Sequence, residues 1–469
     1  MDPVTADTRC QPFTSRMRAA GLPEAAVASF CLHLSRYLGG SQTTLRSDAI
    51  QPLSGLPDAD TLTGFAVAGR AAIERVAVIK LNGGLGTSMG LDRAKSLLEV
   101  REGLSFLDLI ARQVLSLRER SGATVPLLLM NSFRTAADSD AFLARYPELA
   151  IDGLPLSFLQ HRIPKVLEEG VTPATWPADP ELEWCPPGHG DLYPAIAGSG
   201  ALDLLLDRGV EYAFVSNADN LGAVVDPAIL GYFVERRLAF LMEAADRTLA
   251  DRKGGHLCRL PDGRLALREA AQCPPDEAAD FQDVGRHRYF NTNNLWLHLP
   301  SLRRALDENG GFIPLPTIIN RKTLDPRDPD SPAVVQLESA MGAAISFFEP
   351  SEAIRVPRRR FSPVKNTADL LAVRSDAYRL GSDGQLVLDE ARAAPPVVAL
   401  DGRFYTRIDD FERRFPSGPP SLIGCDALTV EGDVTFGRGV EVRGAVHISA
   451  AGGPTTVPDR SRLEGTLRR

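Results

Sequence analysis

Residues Val76-Ala77-Val78-Ile79-Lys80-Leu81 form an apolar, β-branched run that passes directly into Asn82-Gly83-Gly84-Leu85-Gly86-Thr87-Ser88-Met89-Gly90, and Lys95 follows. No other feature constrains the fold as strongly. The run predicts a buried strand. Glycines just after it allow a tight turn and leave backbone N–H groups open to a ligand, with no Cβ in the way. Such a concavity suits phosphate, and a lysine adds a point charge. The stretch therefore predicts a nucleotide or sugar-phosphate site at the carboxyl end of a parallel strand. Two common nucleotide patterns are excluded. No register supplies Gly, four residues, then Gly-Lys-Ser/Thr, and the dinucleotide spacing fails because Met89 holds its third glycine position. A glycine-rich turn with no ligand is the competing reading.

With 469 residues the chain exceeds a typical single core, so two or three domains are expected. A net charge of −8 argues against a general nucleic-acid binder, which would carry a basic face. The sequence lacks an apolar run of roughly eighteen residues, so no membrane span is expected. The start, Met1 to Asp7, lacks a basic region followed by an apolar core, so no signal peptide is read. The six cysteines, at 10, 31, 185, 258, 273 and 425, show neither metal-ligand spacing nor a disulfide framework. A reducing cytoplasm is the expected location.

Residues 1–70 read as a helical N-terminal segment. From 71 to 385 strand-like and helix-like runs alternate. The strand-like runs include Val125 to Met130, Tyr212 to Val215 and Asn294 to Leu299; the helix-like runs include Ser105 to Leu117, Ala201 to Arg208 and Pro227 to Arg237. Alternation implies a largely parallel sheet with helices on both faces, and ligands there bind beyond the carboxyl ends of the strands. From 386 the period changes. Leu422, Leu428, Val434, Val440 and Val446 recur every six residues, with a second row at Val430, Phe436, Val442 and Ile448. Two apolar rows at period six indicate a parallel β-helix whose coils bury themselves against one another.

Four further segments carry polar chemistry. Trp184 to Asp191 is rich in Gly and Pro; Gly188 and His189 are candidates to meet a phosphate or sugar, against a plain turn with a solvated histidine. In Val215 to Gly222, Asp219 follows an apolar strand and is well placed for Mg²⁺, which takes few carboxylates and leaves room for phosphate oxygens. Asn217 and Asn220 offer hydrogen bonds to hydroxyls. The alternative is a capping turn. Phe290 to Trp296 packs three asparagines just before an apolar strand; neutral amides suit a hexose, although an Asn-rich turn would look the same. Lys365, beyond Pro363, reaches for phosphate or is a surface lysine beside the basic run Arg355 to Arg360.

Together these segments resemble the eukaryotic-type UTP–glucose-1-phosphate uridylyltransferases, also called UDP-glucose pyrophosphorylases. The match runs in order through Leu81–Gly90 with Lys95, Met130–Phe133, Pro186–Asp191, Phe214–Gly222, Phe290–Trp296, Gln336–Glu338, Phe361–Asp369 and Leu428–Phe436. The resemblance implies a Rossmann-like (GT-A-like) α/β mixed sheet with helices on both faces and a C-terminal left-handed parallel β-helix. It implies transfer of a uridylyl group from UTP to glucose 1-phosphate, giving UDP-glucose and pyrophosphate, with Mg²⁺; some members form homo-oligomers through the C-terminal end. By its motifs Leu81, Asn82, Gly83, Gly84, Gln160, Gly188, Asp219, Lys95 and Lys365 serve UTP, the two lysines being catalytic. His189, Asn217, Ala218, Asn293 and Asn294 serve the sugar phosphate, and Asp219 the metal. Either asparagine of the 293–294 pair is open as the inward one. The chain departs from the family at Ala94, at Gln160 to Lys165 and at Ala218. After Pro458, Arg460, Arg462, Arg468 and Arg469 stand where the family's final apolar strands are expected. An N-acetylhexosamine uridylyltransferase is disfavoured by Pro186 to Asp191, and a binding module by the retention of Lys95, Asp219 and Lys365.

Overall fold

The computed structural model describes residues 8–40, 44–248 and 251–468, so the Met1–Asp7 stretch and Arg469 lie outside it. The predicted strand forms over Val76–Asn82, with only Leu81 half-buried. Its side chains alternate between two cores. Val76 and Val78 join Leu127, Leu129 and Phe214 on one face; Ala77 and Ile79 join Leu128, Ala213 and Val215 on the other. Burial on both faces explains why the run reads as continuously apolar.

Leu127–Asn131 and Tyr212–Asn217 flank this strand in parallel, and Ser157–Leu159 extends the sheet beyond Leu127–Asn131. Register puts Asn217 beside Leu81, Asn82 beside Asn131, and Asn131 beside Leu159. The carboxyl ends of four strands thus meet at one edge. The sheet is mixed rather than largely parallel, because Tyr289–His298 runs antiparallel to Tyr212–Asn217 and Phe240–Asp246 antiparallel to Tyr289–His298. Strand direction depends on how the chain returns through residues 247–288, which local alternation cannot report. The asparagines 291, 293 and 294 lie inside the Tyr289–His298 strand, not ahead of it. A bulge there lets one strand carry them, and Asn293 takes a φ of 60°.

The N-terminal helices Gln11–Ala19 and Glu24–Leu38 pack Phe13, Met17, Phe30 and Leu34 against Ile163, Val335 and Leu337. Cys10 and Cys31 form a disulfide across this helix pair, which corrects the expectation of none; helix pairing, not spacing, brings the two together. The helix Ala66–Ala72 crosses Pro227–Glu235 where a Cβ on Gly69 would stand 1.7 Å from the Pro227 carbonyl oxygen.

At the carboxyl end, Val397–Leu400, Ser421–Glu431, Glu441–Ser449 and Arg462–Arg468 form a four-stranded parallel sheet, and Val434–Phe436 pairs in parallel with Thr455–Val457. Every member of both six-residue rows is buried. The last strand corrects the expectation for the tail. Leu463 is buried and Leu467 packs on the core, while the arginines at its two ends interrupt the apolar pattern without preventing pairing. The Tyr405 hydroxyl donates to the Val434 carbonyl at 2.6 Å, and Thr367 Oγ1 donates to the Tyr405 carbonyl at 2.7 Å, tying this region to the helix after Lys365.

Candidate active site

A cleft of about 320 Å³ opens at the carboxyl edge of the parallel strands. Of the residues singled out in the sequence, Leu81, Asn82, Gly83, Gly84, Lys95, Gln160, Gly188, His189, Asn217, Ala218 and Asp219 line it. Asn293, Asn294 and Lys365 do not.

The glycine loop closes on itself: the Lys95 N–H donates to the Gly84 carbonyl at 3.0 Å, and Gly86 and Gly90 take positive φ values of 68° and 74°. This turn delivers Lys95 to Asp219, where Nζ donates to Oδ2 at 2.7 Å. The Asn82 amide faces away from the cleft, donating to Asn131 Oδ1 and Ser139 Oγ, so Asn82 lines the wall through its backbone. Opposite Gly83, Gln160 Nε2 donates to the Gly188 carbonyl at 2.8 Å. A Cβ on Gly83 would come within 3.0 Å of Gln160 Oε1, so the amide oxygen faces the glycine loop.

The Gly188–Gly190 turn is clamped on Ser339, whose carbonyl accepts the Gly190 N–H at 2.9 Å and whose N–H donates to the Pro187 carbonyl at 2.9 Å. His189 Nδ1 accepts the Met341 N–H at 3.1 Å, so the neutral ring carries its proton on Nε2. Burial pushes the His189 imidazole down to about 4, which keeps it neutral near pH 7.

The sequence pattern places Lys80 only within the strand. It is buried, and its Nζ donates to Ser216 Oγ at 2.7 Å and to the Ala223 carbonyl at 2.8 Å, stapling both ends of the loop that carries Asp219. Burial and the nearby Arg360 push its ammonium down to about 7, with Glu243 opposing.

Lys365 is exposed but starts next to Asp219: the Val364 N–H donates to the Asp219 carbonyl at 3.2 Å, and Asn220 bridges to Pro363. Asp369 senses both lysines. Its carboxyl is pushed up by burial, against the N–H groups of Lys365 and Asn366 and the charges of Lys365 and Lys95. Asn220 and Asn294 are turned inward. Asn220 is buried and bonded to protein, which corrects the expectation that it serves ligand hydroxyls. Asn294 donates to Glu243 Oε2 at 3.0 Å, leaving Asn293 as the half-buried member of the pair. Sequence reasoning missed Glu243 and Arg360, a buried ion pair behind these amides. A glutamate inside the apolar run Phe240 to Ala245 was the available signal.

Asp219 Oδ1 is buried and accepts no hydrogen bond from the described residues. One open carboxylate oxygen beside a cleft of backbone and lysine donors suits Mg²⁺, which binds through one or two carboxylates plus substrate phosphates. The described residues contain no cluster of three or more His, Cys, Asp or Glu able to hold a metal by themselves.

A glycine loop, an acidic residue beyond the neighbouring parallel strand and a lysine paired to it define a nucleotide-handling α/β protein of the nucleotidyltransferase type. The sequence profile of the UTP–glucose-1-phosphate uridylyltransferase family matches residues 27–443. The barley UTP–glucose-1-phosphate uridylyltransferase is 40% identical over 474 residues, covering 98% of this chain and 97% of its own, and a probable one from Schizosaccharomyces pombe is 42% identical over 412 residues, covering 87% and 80%. A crystal structure of a point variant of Leishmania major UDP-glucose pyrophosphorylase, in complex with UDP-glucose, superposes with a TM-score of 0.92 at 42% identity over 99% of this chain and 100% of that one. The chain belongs to the UTP–glucose-1-phosphate uridylyltransferase family.

Proposed function

We propose that this protein transfers the uridylyl group of UTP to glucose 1-phosphate, giving UDP-glucose and pyrophosphate. The observation that carries the reading is the pairing of Lys95 with Asp219 across separate loops, with the loop that bears Lys365 bonded to the Asp219 carbonyl through the Val364 N–H. An oxygen of the sugar phosphate attacks the α-phosphorus of UTP. A new P–O bond forms there, the bond to the bridging oxygen breaks, and its electron pair leaves with pyrophosphate. The attacking oxygen is already anionic, so no strong general base is needed. The chain's task is to bring two polyanions together and stabilise the charge at phosphorus.

The backbone of Leu81 to Gly84 lines the nucleotide. Gln160, with its nitrogen committed to Gly188, offers Oε1 to the uracil N3–H. His189 offers a neutral Nε2–H, and Asn217 an amide, to the sugar phosphate, with Ala218 and Asn293 beside them; Asn294 serves through the network behind. Lys95 and Lys365 neutralise the phosphates. Two unit charges 4 Å apart at an effective dielectric near 20 interact by about 4 kcal/mol. Mg²⁺ on Asp219 supplies charge neutralisation and a template for the phosphate groups.

The same reading divides the chain into 1–70, 71–385 and 386–469 and makes the C-terminal region a left-handed β-helix. Leu428 pairs with Val446 and Val430 with Ile448, three six-residue steps on in each case, which supports three-sided coils. The reading keeps the cytoplasm as the location; separately, the described residues contain no helix long and apolar enough to cross a membrane. Pyrophosphate release from UTP, Mg²⁺ and glucose 1-phosphate tests the activity. Release only with N-acetylglucosamine 1-phosphate, or with neither sugar phosphate, overturns it.

A further inference from the structure

Behind the cleft, the loop bearing Asp219 and the loop bearing Lys365 are joined by one buried amide. Asn220 is 1% exposed. Its Oδ1 accepts the Ser362 N–H at 3.0 Å, and its Nδ2 donates to the Arg360 carbonyl at 3.1 Å and to Asn294 Oδ1 at 3.2 Å. A single side chain thus bonds the backbone on both sides of Phe361. The Arg360 carbonyl is itself fixed, because its guanidinium is ion-paired to fully buried Glu243 and donates to the Val224 carbonyl at 2.9 Å. Glu243 also accepts from Asn294 Nδ2 and from Trp296 Nε1, each at 3.0 Å. The two loops approach so closely that a Cβ on Gly222 would stand 2.3 Å from the Arg359 carbonyl oxygen. Both loops are therefore referenced to the same rigid strands.

We infer that Asn220 is a positioning residue for the transfer reaction, setting the Lys365 loop against the Asp219 loop through its amide. The inference rests on the role proposed above for Lys365. Asn220 lies beneath the cleft wall and acts on substrate only through Lys365. Without the amide, the Ser362 N–H, the Arg360 carbonyl and the Asn294 oxygen each lose a partner, and the segment leading to Lys365 is held to the Asp219 loop only by the backbone contacts of Pro363 and Val364. A carboxamide is required: aspartate at this position keeps the acceptor for Ser362 but loses both donated bonds.

The test is a double-mutant cycle between Asn220→Ala and Lys365→Ala, read as kcat and KM for UTP and glucose 1-phosphate, with thermal melts as controls. Asn220→Ala is expected to lower kcat by about 10- to 100-fold with both KM values within about threefold, and to cost less than about threefold once Lys365 is already alanine. Equal fold losses in the two backgrounds, or a rise in KM at unchanged kcat, overturns the inference, since a generally loosened fold harms both backgrounds alike. If Asn220→Ala does not fold, Asn220→Asp runs the same cycle. Near-wild-type turnover of Lys365→Ala alone is a separate failure, which removes the role of Lys365 and this inference with it.

Discussion

Lys95 Nζ and Asp219 Oδ2 are 2.7 Å apart, and neither group is wide open to solvent, with 15% and 22% of their side-chain surfaces exposed. The pair therefore competes with the proposed ligands at both ends: a triphosphate draws Lys95 away, and a cation draws Asp219. Asp219→Ala is expected to lower turnover by about 10²-fold or more, by analogy with removal of one preorganised electrostatic group. The same variant releases Lys95, so metal-free UTP binds no more weakly than to wild type. Calorimetry in a chelator checks this; weaker metal-free binding would show that Asp219 orients Lys95 rather than restraining it.

Lys365 differs because no carboxylate among the described residues ion-pairs with its ammonium; its N–H bonds Asp369 at 2.8 Å. Lys365→Ala should lower turnover on the order of 10²–10³-fold while leaving the melting temperature nearly unchanged, because the side chain is exposed. Lys365→Arg should recover only part of this loss, since a planar fork does not reproduce a compact charge.

What was legible in the sequence had a local or periodic signature. The glycine loop, the strand before it and Asp219 beyond the neighbouring strand are each defined within about ten residues. The period-six rows need only counting, and all of them are buried. What stayed hidden depends on partners far along the chain. Asn220 and Asn294 read as ligand amides, yet the Arg360 carbonyl, 140 residues from Asn220, and the Glu243 carboxylate, 51 residues from Asn294, claim them. Cys10 finds Cys31 only because two helices pack side by side. The antiparallel direction of Tyr289–His298 follows from how the chain returns after Asp246, and no short window contains that. Lys80 and Glu243 left one trace, a charge inside a run buried on both faces.

Acid should unfold this protein through its buried histidines. Burial, with Arg36 adding repulsion, lowers the His33 imidazole to about 4, and its Nδ1 lies 2.7 Å from Thr317 Oγ1. The unfolded chain takes up this proton near pH 6.5 while the folded protein does so only near 4. Its contribution is thus fully present above pH 6.5 and is lost progressively as pH falls to 4, by about 3 kcal/mol in all. His256, lowered to about 3, acts in the same direction. Urea unfolding from pH 7 to 4 should show a steep fall in stability, and His33→Gln should show a shallower one. An unchanged slope in the variant would exclude His33 as a contributor.

The crossing of the helices Ala66–Ala72 and Pro227–Glu235 leaves no room for a methyl group. A Cβ on Gly231 would stand 1.9 Å from the Phe65 carbonyl oxygen, matching the clash at Gly69. Both obstacles are backbone, so the helices themselves must separate. Gly69→Val is expected to destabilise by about 3 kcal/mol or more, at the upper end of overpacking costs. Thermal denaturation of Gly69→Val beside Gly64→Val, where nothing lies within 4 Å of the new Cβ, separates packing from any general effect of valine in a helix.

Gly188 and Gly190 are crowded by the same residue, but through different atoms, and this separates their expected phenotypes. At Gly188 a Cβ would meet the Ser339 carbonyl oxygen at 2.4 Å and its nitrogen at 2.8 Å, in a backbone at φ 80° that side chains rarely adopt. At Gly190 the nearest atom is Ser339 Oγ, at 2.3 Å. Gly188→Ala must therefore shift the turn itself. That movement disturbs the carbonyl that accepts from Gln160 and the approach of His189 to Met341. The expected result is a rise of about tenfold or more in KM for UTP together with a fall in kcat, because misplacement affects both binding and alignment. Adding Ser339→Gly should restore part of the activity of Gly190→Ala, by removing the obstructing hydroxyl. It should not restore Gly188→Ala, whose obstruction is main chain. Equal rescue of both would mean that the Ser339 side chain, not the backbone of the clamp, sets the position of the turn.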